Sequence, residues 1–166
     1  MILIRKTCLV FGASGQDGSL ICKSLLEKGF QVVGIARSQE RKLKNHIKLG
    51  IEKDVEIKKG DIKSLQNIEK IISCYQPEMI FNLAAQSSVG KSFIDPINTI
   101  QSIVDGTLNI LEATRKMNYS GRIFFAGSSE MFGNTEKKAD INHKQNPISP
   151  YAIGKQSSYN LVKLYR

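Results

Sequence analysis

The stretch SPYAIGK sets a phenol and an ammonium group four residues apart, Tyr151 and Lys155. On a helix that spacing puts both on one face. There the ammonium favours a phenolate, which can take a proton near neutral pH. The spacing alone is weak: with 5 Tyr and 24 Lys plus Arg, chance gives roughly 0.7 tyrosines followed by a base at that distance. A second pair, Tyr159 and Lys163, is indeed present. Position separates the two. Tyr151 follows Ser-Pro at the start of a helical pattern, a short loop after FFAGSSEMFG, whereas Tyr159 lies two turns further along and is expected to be structural. In FFAGSSEMFG the aromatic Phe124 and Phe125, expected in the core, run into Ser128, Ser129 and Glu130. Serines are common where a strand ends and turns. A carboxylate there is also suited to acid–base work.

A third cluster is GASGQDG, with Gly12, Gly15 and Gly18 in a GxxGxxG spacing. Glycine lets the backbone turn sharply and approach a pyrophosphate, whose charge a helix N-terminus stabilises. Placed between a strand and a helix, the segment reads as a dinucleotide loop, with Ala13, Ser14, Gln16 and Asp17 as further contacts. The next strand ends GIARSQER. An NAD site usually offers a carboxylate here; this chain offers Arg37, with no acid before Glu40. An arginine pairs with the 2′-phosphate of NADP, the alternative being a plain surface arginine. Asp61 and Ile62 end a third strand pattern and suit an adenine contact, although Asp after Gly is also common loop chemistry. In NLAAQS, Leu83, Ala84, Ala85 and Gln86 would let a cofactor lie against a strand end, or simply pack tightly.

The elements that must position these groups alternate. Short apolar runs rich in β-branched and aromatic residues predict strands at Thr7–Gly12, Gln31–Ala36, Val55–Gly60, Met79–Ala84 and Arg122–Gly127. Between them lie helical patterns. One runs Asp17–Gly29, with Leu20, Leu25 and Leu26 on one face and Gly29 as its stop. Another follows a Ser64 cap. A third is long and opens at Pro96, and a last one starts near Tyr151 and runs toward Arg166. Alternation of strand and helix implies an α/β fold: a Rossmann-like, doubly wound parallel sheet with helices on both faces. Ligands gather at the carboxyl ends of such strands, near the point where strand order reverses. Every polar cluster above falls at a predicted strand end.

The bulk numbers fit one globular domain. The 166 residues are 41% hydrophobic and 23% charged, an ordinary composition. No apolar run reaches the ~18–20 residues of a membrane helix. Arg5 and Lys6 interrupt the apolar N-terminus, which argues against a signal peptide. Cys8, Cys22 and Cys74 sit in apolar surroundings and read as buried free thiols in a reducing cytoplasm. His46 and His143 show no ligand spacing, so no metal site is predicted. The net charge of +9 comes from basic residues mixed with acids and without interleaved aromatics, which argues for a solvated surface and against a nucleic-acid groove.

Taken together, GxxGxxG, NLAAQS, a strand-end serine and YAIGK resemble the extended short-chain dehydrogenase/reductase superfamily. More narrowly, GASGQDGSL, NLAAQSSVGKSF, GSSEMFG and SPYAIGK resemble the GDP-mannose 4,6-dehydratase family, across essentially the whole chain. The resemblance implies an NADP-dependent lyase of nucleotide-sugar metabolism, cytoplasmic and homo-oligomeric as a dimer or tetramer. In it Ser128 hydrogen-bonds the sugar's 4-oxygen, Ser87 is a second substrate contact, and Glu130 is the catalytic glutamate. Tyr151, assisted by Lys155, takes the hydroxyl proton as NADP⁺ takes hydride from carbon 4. Glu130 then removes the proton on carbon 5, water leaves from carbon 6, and the hydride returns there. A nucleotide-sugar epimerase or reductase needs no such glutamate and is the alternative enzyme; a non-catalytic NADP(H)-binding module is the alternative outside enzymes.

The chain departs from the pattern at Ile148, where the family carries Arg, at Gly154 in place of Ala, and at Asn98, where relatives often carry an aromatic cofactor contact. Family members also carry a second half that completes the sheet and builds the sugar-nucleotide pocket. Residues 1–166 are therefore expected to be the NADP-binding Rossmann domain, the N-terminal part of a longer fold, with little turnover unless the other half is supplied.

Overall fold

A computed structural model describes residues 6–37 and 43–166; Arg5 and Glu40 lie outside them. Five parallel strands form one sheet in the order β3-β2-β1-β4-β5. They are β1 (Thr7–Phe11), β2 (Gln31–Ala36), β3 (Val55–Lys59), β4 (Met79–Asn82) and β5 (Arg122–Phe125). Each ends at or slightly before its expected boundary, because the residues that follow turn toward the site. Strand order reverses beside β1, which pairs with β2 on one side and β4 on the other.

Alternation along β1 builds two cores, since successive side chains point to opposite faces. Leu9 and Phe11 pack with Ile68, Ile71 and Ile72 of α3 (Leu65–Tyr75) and Ile110 of α6 (Gly106–Lys116). Cys8 and Val10 pack with Cys22 and Leu25 of α1 (Gln16–Glu27) and with Ile51, just past α2 (Lys44–Leu49). Gly29 takes φ +82° after α1 and ends it as expected.

Side chains cap most helix starts. Ser64 caps α3, Ser88 caps α4 (Val89–Ile94), Asp95 caps α5 (Pro96–Ile100) and Ser149 caps α7 (Pro150–Tyr165), each accepting a first-turn N–H. Helix α1, whose N-cap is Gly15, has no side-chain cap, and neither do α2 and α6. The first N–H groups of α1 are left for another partner.

Several expectations are corrected. Phe124 is 48% exposed: it lies on β5, the last strand in the sheet order, where its ring meets that of Phe81 at 5.8 Å between centres. Leu20 is 49% exposed, on the outer side of α1 from Leu25. Cys74 is exposed near the end of α3, whereas Cys8 and Cys22 are buried. The long helix from Pro96 is interrupted by a π-helical turn at Gln101–Asp105. The short helices α2 and α4 were not expected. Gly154, inside α7, faces α5 and the π turn, where a Cβ would sit 3.3 Å from Ile103 Cδ1 and 3.4 Å from Ile100 Cδ1. Among the described residues no helix is long and apolar enough to cross a membrane.

Candidate active site

A cleft of about 500 Å³ runs along the carboxyl ends of the strands. One wall is the glycine loop. Gly12 has φ +84°, and a Cβ there would stand 2.8 Å from the Leu83 carbonyl carbon. A Cβ on Gly18 would stand 2.2 Å from the Gly12 oxygen. Both positions therefore need glycine, the first for its conformation and its contact, the second for contact alone. The loop closes on itself through Gly15 N–H to Gly12 O, 3.0 Å. It delivers the uncapped start of α1 to the cleft, where Ser14, Gly15, Gln16, Asp17 and Gly18 line it.

Ala13 differs from its neighbours. Its side chain is fully buried in the core with Cys22 and does not line the cleft. Its carbonyl accepts from His46 Nε2 at 2.8 Å.

At the far end Arg37, exposed, lines the cleft beside Ala36, with Asp61, Ile62 and Lys63 across from it. Asp61 spends one carboxylate oxygen on the Lys63 N–H, 3.0 Å, the turn chemistry its sequence allowed. Lys63 Nζ reaches Asn98 Oδ1 at 3.3 Å, and Asn98 is oriented by Asp95. Leu83, Ala84, Ala85, Gln86 and Ser87 follow β4 along the floor. The Gln86 side chain is held by Ser88 and Thr99, and the Gln86 backbone N–H donates to Ser102 Oγ, so this residue braces the floor.

Tyr151 and Lys155 close the other end, both buried and both lining the cleft with Ala126 and Gly127. Lys155 Nζ donates to Ala126 O at 2.7 Å and lies 5.1 Å from the Phe125 ring centre and 5.9 Å from that of Tyr151. Burial brings its pKa down to about 8. An ammonium held there supplies charge beside a phenol with few competing partners. Tyr159 and Lys163 pair 5.6 Å apart and do not line the cleft.

Ser128 and Glu130 do not line the cleft itself. They continue from its wall at Gly127 into the 3-10 turn Ser129–Phe132, where Ser128 Oγ accepts the Glu130 N–H at 3.3 Å. The Glu130 carboxylate is exposed, and among the described residues it makes no hydrogen bond or ion pair. The structure thus gathers the glycine loop, Arg37, Asp61, the residues after β4, Tyr151 and Lys155 around one cleft, and leaves Ser128 and Glu130 beside it. Sequence reading missed Lys63 and Ser102 in the lining and His46 behind the loop. Lys63 had a signal, two residues past Asp61 at the same strand end. Ser102 had none, since a π turn leaves no pattern in sequence.

A family model described as GDP-mannose 4,6 dehydratase matches residues 9–166. GDP-mannose 4,6 dehydratase 1 of Arabidopsis thaliana is 35% identical over 173 residues, covering 98% of this chain and 48% of that protein. The GDP-mannose 4,6-dehydratase of Vibrio cholerae serotype O1 is also 35% identical, covering 98% and 46%. Among solved structures, the Thermotoga maritima UDP-glucose 4-epimerase with UDP-glucose superposes with a TM-score of 0.84 at 27% identity, over 96% of this chain and 50% of that one. The Thermus thermophilus UDP-glucose 4-epimerase in complex with NAD gives the same TM-score, 0.84, and the same 27% identity. The chain spans about half the length of the curated relatives it matches.

Proposed function

The chain belongs to the GDP-mannose 4,6-dehydratase family, and from that premise we propose that residues 1–166 form an NADP-binding Rossmann domain. In this reading it is the cofactor half of an enzyme that converts GDP-mannose to GDP-4-keto-6-deoxymannose. The observation that carries the reading is the single cleft that joins an uncapped, glycine-lined helix N-terminus to Tyr151 and Lys155. Its volume and its mix of small apolar and polar lining fit a dinucleotide. Arg37 at the end of β2 supports NADP over NAD, since a guanidinium matches a 2′-phosphate.

Bound NADP supplies a hydride acceptor for carbon 4 of the sugar and a donor for carbon 6. The chain's own residues do the rest. The α1 N-terminus holds the pyrophosphate. Tyr151 takes the proton from the 4-hydroxyl while Lys155 balances the phenolate charge. Ser128 donates to the 4-oxygen, and Ser87 makes a second sugar contact. Glu130 removes the proton from carbon 5, acidified by the adjacent ketone, and returns it to the hydroxyl leaving carbon 6; as carbon 6 is reduced, carbon 5 regains a solvent-exchanged proton that balances the one Tyr151 took. Its exposure beside the cleft supports this role, because a base for bound substrate must not be spent on a protein partner. The family resemblance further supports a cytoplasmic homo-oligomer, a dimer or tetramer.

The test is to extend the chain through the second half that its relatives carry, incubate it with GDP-mannose and a trace of NADP⁺ in heavy water, and weigh the product. Loss of one water with one deuterium gained at carbon 5 is the expected result. An unchanged sugar from a chain that binds NADP(H) would replace the dehydratase with a binding module. An inverted sugar without water loss would make it an epimerase.

A further inference from the structure

We infer that His46 and Asn45, on the short helix α2, are positioning residues for the glycine loop, an inference that rests on the dinucleotide reading of the cleft. His46 is fully buried and does not line the cleft, yet its Nε2 meets Ala13 O at 2.8 Å. A carbonyl oxygen only accepts, so Nε2 carries the proton. The other ring nitrogen, Nδ1, has no partner among the described residues. Burying an unpartnered nitrogen is unfavourable, and an apolar side chain could fill the same space without that cost. What the imidazole adds is one N–H aimed at the loop. The adjacent residue does the same: Asn45 Nδ2 donates to Ser14 O at 3.3 Å, again from outside the cleft.

Two successive carbonyls of the loop are therefore held by side chains behind it. This matters because peptide units flip. A loop carbonyl turned into the cleft would put partial negative charge against a pyrophosphate, where an N–H should be. Pinning Ala13 O from behind keeps the opposite edge of that peptide unit, the Ser14 N–H, from being replaced by oxygen, and pinning Ser14 O keeps the Gly15 N–H on Gly12 O, the 3.0 Å bond that closes the loop. Helix α2 can bear this role because it is anchored: Gly50 ends it in the left-handed region, Ile51 N–H returns to His46 O at 3.0 Å, and Ile51 is buried in the core.

The experiment compares two ligands on the full chain: NADP⁺, and adenosine 2′-monophosphate, which keeps the adenine and 2′-phosphate but lacks the pyrophosphate. His46→Leu should weaken NADP⁺ about tenfold and leave the monophosphate within about twofold. His46→Gln carries its amide nitrogen where Nε2 stands and should restore NADP⁺ to within about threefold of the wild type. Asn45→Ala, at a partly buried position, should show the same selectivity at about threefold, and it carries the test if His46→Leu does not fold. Equal loss of both ligands, no loss of either, or failure of the glutamine to restore binding overturns the inference while leaving the dinucleotide site standing. A wild-type chain that binds neither ligand overturns the dinucleotide reading itself, and this inference with it.

Discussion

The two ends of the cleft are held in different ways. At the glycine loop, Gly12 lies against the Leu83 backbone, Gly18 against Gly12, and the carbonyls of Ala13 and Ser14 are tied down from behind. At the other end, β5 is an edge strand, Phe124 is half exposed, and Glu130 projects from a short 3-10 turn with no partner among the described residues. Lys155 stands between, buried and hydrogen-bonded to Ala126, joining α7 to the end of β5. The contrast separates two jobs. Groups proposed to hold a polyanion in one pose are built into the core, where a change costs the fold. Groups proposed to act on substrate stand free of it, where a change costs only chemistry. Substitutions can break that division or sharpen it.

The largest effect is expected at Gly18→Val. Its side chain would begin 2.2 Å from the Gly12 oxygen, and backbone cannot yield as a flexible side chain does. Dinucleotide affinity should fall at least about 100-fold, with a stability loss of about 4 kcal/mol or more. Titration with NADP⁺ and a denaturant melt measure both. A tolerated valine would mean that the loop is not close-packed, and the division would fail at its stronger end.

A smaller effect, of defined sign, is expected at Lys155. Its pKa falls to about 8 on burial, against about 10.4 in an unfolded chain. Between those values the unfolded state binds more protons than the native one, so this group adds stability as pH rises. The buried thiols act in the opposite sense. Burial pushes Cys8 up to about 11 and Cys22 up to about 12. Above their unfolded pKa of about 8.5 the native state holds more protons, and stability falls as pH rises. The two effects separate in a difference. Lys155→Met keeps both thiols, so between pH 8 and 9 its stability should fall more steeply than the wild type's, by about 1 kcal/mol. Parallel curves would mean that Lys155 is not buried as charge and that the joint between the two ends is looser than it stands here.

At the entrance to α7, Ser149 Oγ accepts the Ala152 N–H at 3.1 Å in a buried setting. Ser149→Ala should cost about 1 kcal/mol, seen as a lowered Tm, with Tyr151 next to the frayed turn. Dinucleotide affinity should change less than with any glycine-loop variant, because α7 borders the cleft without holding the pyrophosphate.

What could be read in the sequence follows the same division. The strands and the glycine loop were legible because their signals are local: apolar runs bounded by turns, and glycines where strand passes to helix. The brace behind the loop was not, since His46 meets Ala13 across 33 positions. A six-residue helix such as α2 is also too short to show a period. Phe124 was misplaced for a related reason: composition marks a strand but not whether a neighbour covers it. The π turn at Gln101–Asp105, which sets Ser102 toward Gln86, interrupts a pattern that reads as one unbroken helix. Tyr151 was separated from Tyr159 by position alone, and only the first of them lines the cleft.

The smallest effect on fold and cofactor is expected at Glu130→Gln, which makes it the sharpest test of the division. The carboxylate is exposed and partnerless among the described residues, so its loss should leave stability within about 0.5 kcal/mol and NADP⁺ affinity unchanged. The amide keeps the shape and removes the base. In a form extended through the second half that its relatives carry, water loss from GDP-mannose and deuterium uptake at carbon 5 should drop by about 10²–10⁴, the usual contribution of a positioned base. First oxidation at carbon 4, which depends on Tyr151 and Lys155, should survive and appear as NADPH absorbance that is not consumed. That split is specific. An epimerase would turn over normally with glutamine at this position, and a binding module would show no reduced cofactor with either residue. A variant that melted early or lost NADP⁺ would instead show that Glu130 belongs to the packed end of the cleft.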